Sequence, residues 1–88
     1  KLSYFNKGKK MLAKSIEADK ENVELRFLRF TVQTNVPSFL FYTDDIKRDK
    51  VFILNTYRAI TDPFLKRFML PVLQKSEYFS VNEKQGLK

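Results

Sequence analysis

Arg26, Arg29 and Gln33 are spaced by three and four residues, so on a helix two guanidiniums and an amide share one stripe. Facing outward, such forks would grip a carboxylate or a phosphate as a binding site. Otherwise they would pair with Asp44, Asp45 or Asp49 across a helix interface, or simply face solvent. Those three aspartates invite a second question, whether they hold a metal or form an acid–base pair. Two acids at a helix start serve more simply as a cap and a complement to the helix dipole. A hard cation also needs more oxygen ligands in a defined loop. No metal site is expected.

Other catalytic chemistry finds few candidates. There is no His and no Cys, which removes the commonest general base, the commonest transition-metal ligand and all thiolate chemistry. No Ser-His-Asp arrangement, zinc spacing or phosphate loop can be assembled from what remains. A lone Ser, Lys or Tyr nucleophile would need a base that no motif supplies. The expectation is a chain that is not an enzyme and takes no cofactor.

The net charge of +7 suggests a nucleic-acid partner. One block is purely basic: Lys1, Lys7, Lys9, Lys10 and Lys14 stand in the first sixteen residues, where there is no acid. Elsewhere both signs alternate, as on solvated helix faces. Single-strand binders add stacking rings beside such cations, but the periodicity places Tyr4 and Phe5 on the core side.

Helices have to position these groups. Two Gly and three Pro in 88 residues leave little for hairpins, and apolar residues recur at helical intervals. A first helix from Ser3 to Ala18 carries Tyr4, Gly8, Met11, Leu12, Ser15 and Ile16 on its inner face. Gly8 on that face would admit a neighbouring backbone. Asn22 or Asp19 caps a second helix running to Thr34, apolar on most sides and so central, with Phe27 in the core and Arg26 outside it. Pro37 breaks it, and Phe39–Tyr42 forms one turn tucked under the fold.

Thr43-Asp44-Asp45 then caps a third helix that buries Ile46, Ile53, Leu54 and Tyr57. Thr61-Asp62-Pro63 starts a fourth, carrying Phe64, Leu65, Phe68, Met69, Val72 and Leu73, which Pro71 should kink or split. Ser80 and Glu83 match a capping box for a last helix from about Val81 to Lys88. The longest apolar runs are four residues, too short to span a membrane. The fold class is all-α, a bundle or array of four to five short helices. The chain opens on Lys1, and its basic first turn opposes the helix dipole. Residues 1–88 are therefore expected to be a single helical domain of a longer protein lacking its amino-terminal portion.

The stretch from Phe5-Asn6-Lys7-Gly8 to Leu12, with Lys14 to Leu25 after it, resembles the closing half of a tetratricopeptide repeat. It has an aromatic, a small residue, a Leu and an acidic turn leading into the next helix. Lys20 replaces the usual Pro, Ser15 the usual Ala, and no second copy follows Asn22. Phe5–Leu12, Asn22–Phe30 and Gln33–Leu40 are together similar to a group of small exported bacterial helical proteins. That resemblance implies a helical hairpin at the start, a preceding export signal, a periplasmic or secreted location and often Gly in place of Phe41. It implies no activity.

Two functional readings follow. The first is a non-enzymatic helical interaction or scaffold module that packs on its own upstream helices, on a protein partner or on a copy of itself. The alternative is a basic helical nucleic-acid-binding domain. Neither takes a small-molecule ligand or inserts into a membrane.

Overall fold

A computed structural model describes residues 2–87 and is mostly helical, with no strand among those residues. Lys1 and Lys88, at the two ends of the expected helical span, lie outside the described residues. The order is α1 (Leu2–Ala18), α2 (Val23–Asn35), α3 (Ile46–Thr56), α4 (Pro63–Lys75) and α5 (Val81–Gln85). Short 3-10 turns lie at Ser38–Leu40 and Tyr57–Ala59. Among the described residues no helix is long and apolar enough to cross a membrane.

The helix starts follow local chemistry. Asn22 Oδ1 accepts from the Leu25 amide at 3.1 Å, opening α2 four residues after α1 ends. Asp62 accepts from the amides of Phe64 and Leu65, and Pro63, which has no N–H to satisfy, takes the first helical position of α4. Ser80 and Glu83 form a reciprocal capping box at α5. Asp45 departs from this pattern. It precedes α3 but makes no capping bond, because its side chain is drawn away to α2.

The core gathers Phe27 and Phe30 of α2, Ile46 and Ile53 of α3, Tyr57, Met69 and Leu73 of α4, and Phe79 and Leu87. As expected, α2 is central. It packs against α1 on one side and α3 on another, and Phe27 meets the Phe68 ring edge-on at 5.9 Å. Among the described side chains none from α1 enters this core. That helix is held through Phe5, Leu12 and Ile16, with Phe5 edge-on to Tyr42 at 5.7 Å.

Four packing expectations need correction. In α1 Leu12 and Ile16 lie inward as expected, but Phe5 completes the buried stripe, and Tyr4 and Met11 remain 78% and 68% exposed. No neighbouring backbone approaches Gly8: a Cβ built there meets nothing within 4 Å. Of the Phe39–Tyr42 segment only Tyr42 is buried, while Phe39 and Phe41 face solvent. Phe41 turns the chain in the left-handed region, at φ 52°. Finally, α4 is one helix to Lys75, not split at Pro71. Pro71 and Arg67 are both exposed, so water can take the carbonyl that the missing N–H leaves free.

Candidate functional site

The polar stripe of α2 faces α3. Asp49, fully buried on the first turn of α3, receives two bonds from Arg29, from Nε and from Nη2, each at 2.7 Å. This is the bidentate geometry that matches a guanidinium to a carboxylate. Arg26 Nη1 adds a third bond to Asp49 at 3.3 Å, and its other nitrogens reach the Lys20 carbonyl. Gln33 grips Asp45 twice, donating to its carboxylate at 3.1 Å and accepting from its backbone amide at 2.9 Å. Arg29 Nη1 lies 3.6 Å from that same carboxylate.

Arg26, Arg29 and Gln33 thus come together, as their spacing implied, around Asp45 and Asp49. Asp44 is exposed and takes no part. Arg26 is less solvated than expected: its side chain is only 12% exposed and stacks on Phe52 at 4.6 Å. The Asp49 hydrogen bonds push the Arg29 guanidinium above the ordinary arginine range, so it stays cationic throughout. Two cations and two anions balance, and every buried side-chain polar atom among the described residues has a partner. A polar recess of about 420 Å³ lies beside this network, lined by Lys20, Arg26, Arg29 and Arg48 together with Glu17 and Asp45. The Arg29 guanidinium in its wall is already engaged by Asp49 and faces Asp45. The arrangement is built as a brace between helices.

Apolar chemistry dominates the opposite side of α2. Leu28 is 49% exposed between two grooves. One, of about 380 Å³, runs towards α4 and is lined by Leu25, Phe27, Leu28, Thr31 and Phe68 with Asn22 and Glu24 at its end. The other, of about 270 Å³, runs towards α1 over Phe5, Gly8, Lys9, Leu12, Leu28, Val32 and Tyr42. Phe64 and Phe68 stand exposed on the α4 side, Tyr4 and Met11 on α1. An apolar surface shared by three helices on one face is the kind that marks interaction sites.

The excess of apolar residues around α2 was legible as a surplus, but spacing alone does not say which flank stays open. The basic block is mostly free. Lys7, Lys10 and Lys14 are exposed and make no ion pair among the described residues, while Lys9 lies over the rings of Tyr42 and Phe5, at 4.8 and 5.6 Å. In comparisons with known proteins, no family model matches the chain, and no curated protein or solved structure is significantly similar to it.

Proposed function

We propose that this chain is a non-enzymatic helical interaction module that holds a protein partner against the outer face of α2. The carrying observation is Leu28, half exposed at the middle of a central helix and flanked on both sides by apolar grooves. The forked polar side chains that would suit a small anion are engaged within the chain. The α1–α2 hairpin coincides with the tetratricopeptide-like stretch, and stacking against a further helix is how such hairpins bury their faces.

Nucleic-acid binding is the second reading. The observation favouring it is Tyr4, exposed one turn from the unpaired Lys7. It involves one ring, against an apolar surface shared by three helices.

A displayed library of amphipathic helices, selected on the chain and mapped by amide chemical shifts, tests the first reading. Bound helices are expected to perturb Leu25, Leu28 and Val32. Leu28→Asp should weaken them by about tenfold or more, the scale of losing one buried leucine, with the helical circular-dichroism spectrum retained. Selected helices mapping elsewhere would refute it. So would a single-stranded oligonucleotide that binds at α1 with no response to Leu28→Asp, if no helix is selected.

A further inference from the structure

We infer that the groove between α1 and α2 receives an acidic amphipathic helix from a different protein, its apolar ridge over Gly8 and its carboxylates along the lysines of α1. This rests on the interaction reading above and names the partner's chemistry.

The groove has the shape for a helix ridge. Phe5 and Leu12 form the α1 wall, Leu28 and Val32 the α2 wall, and Gly8 lies between them. Because a Cβ at position 8 would meet no atom within 4 Å, the groove is open where a side chain would otherwise fill it. Phe5 to Leu12 spans about 10 Å along the axis, two turns, enough for a ridge of two or three side chains. Tyr4 and Met11, both exposed, extend the α1 wall outward.

Charge selects the partner. Lys7 and Lys14 stand three residues beyond Tyr4 and Met11, on the next strip of the helix surface. Residues 1–16 contain no acid, and none of these lysines is paired among the described residues. The margin on α1 is therefore uniformly positive. The groove on the other side of Leu28 ends instead at Glu24, so the two grooves differ in sign as well as in position.

A second copy of this chain fits poorly. Its α4 carries Lys66, Arg67 and Lys75 with no acid, and α3 carries three cations against Asp49, which is buried. α1 would oppose lysine to lysine. Among the described residues α1, α3 and α4 present no acidic edge and α2 only the single Glu24, so we assign the acidic edge to a partner.

Three synthetic helical peptides with one leucine ridge, flanked by Glu, Gln or Lys, provide the probe, titrated against the whole chain at low and high salt. The Glu-flanked peptide should bind about tenfold more tightly than the Lys-flanked one at low salt, the gap narrowing as salt rises. It should perturb Phe5, Gly8, Leu12 and Val32. Gly8→Leu should leave the fold intact and weaken binding about tenfold by plugging the groove. Lys7→Glu with Lys14→Glu should reverse the charge preference.

Equal binding of Glu and Lys peptides, both blocked by Gly8→Leu, would overturn the acidic partner and leave the interaction reading standing. Binding along Leu25 and Phe68 with no effect of Gly8→Leu would overturn the choice of groove. A dimer in sedimentation that Gly8→Leu dissociates would assign the groove to a second copy instead. Failure of every peptide and every selected helix would overturn both readings.

Discussion

A carboxylate with no solvent contact stays in the interior only while cations face it, so the consequences of removing Asp49 differ from those of removing its whole network. Asp49→Ala would strand Arg29 and leave Arg26 with one fewer partner. The cost expected for breaking a buried pair is about 3–5 kcal/mol. Replacing the pair together, as Arg29→Met with Asp49→Leu, should recover much of that loss, because neither charge is then left alone. Chemical denaturation of the two single variants and the double variant checks this, and a double variant as unstable as the singles would contradict it. Arg26→Ala removes its bond to Asp49, two bonds to the Lys20 carbonyl and a stacked ring contact. It should cost about 1–3 kcal/mol, more than a solvated arginine would, while Phe27→Ala should cost about 3–5 kcal/mol. Phe41 is a different case. Its ring packs little, being exposed, while its backbone sits where a β-carbon is strained by about 1–2 kcal/mol. Phe41→Gly should therefore stabilise by about 0.5–1 kcal/mol once the added chain entropy of glycine is deducted, which a thermal melt can read.

At the scale of the elements, α5 is the piece whose pH response can be signed. The Ser80 backbone hydrogen bond, with help from Lys50, holds the Glu83 carboxyl below the usual glutamate range. A depressed folded value means that this capping contribution is complete above the ordinary glutamate value of about 4.3 and is lost as pH falls through the lower folded one. An acid titration followed at the Ser80 amide should show α5 loosening in that window, and Glu83→Gln should remove the titration while keeping a cap. That box, the Asp62-Pro63 start and the Asn22 cap were all legible in the sequence, because each is a contact between residues two or three apart. Asp45 looked the same on paper and behaves otherwise, since its oxygens find better partners twelve or more residues away on Gln33 and Arg29. Burial of Asp49 was equally illegible, for a lone acid amid Lys47, Arg48 and Lys50 looks like a surface residue. The stripe of Arg26, Arg29 and Gln33 was legible as a unit from its spacing, whereas its engagement with Asp45 and Asp49 depends on how α3 packs. In α1 the apolar supply exceeds what α2 can cover, so spacing alone could not fix which strip is buried. With no residue in the main core, α1 should show the fastest amide exchange of the long helices. Gly8→Ala should slow that exchange and add about 1 kcal/mol, since the methyl enters empty space.

For the molecule as a whole, the internal network matters for where the net charge resides. Arg26 and Arg29 cancel Asp45 and Asp49, so the full excess of seven cations belongs to the remaining, mainly exposed, residues. Local pairs offset it only at Lys20–Glu17 and Lys50–Glu83, while Arg48 shares the Asp45 already counted. Exposed pairs of this kind contribute about 0–1 kcal/mol each. Repulsion among the unpaired lysines of α1 and the cations of α4 acts over longer distances, and both effects are screened beyond a Debye length of about 10 Å at 0.1 M salt. The two predict opposite responses. If attraction within the pairs dominated, salt would lower the melting temperature. With seven uncompensated charges on a body 38 × 27 × 20 Å in extent, repulsion should win, and moderate salt should raise it. The buried network, shielded from ions, should contribute little to the change, so Asp49→Asn should lower stability at every salt concentration without altering the slope. Lys7→Gln with Lys10→Gln and Lys14→Gln should flatten the slope, because these variants remove the densest unpaired block. Thermal melts of the three proteins from low to moderate sodium chloride measure all of this. A melting temperature that falls with salt, or a slope unchanged when the α1 lysines are removed, would show that the charge excess does not govern the stability of this fold.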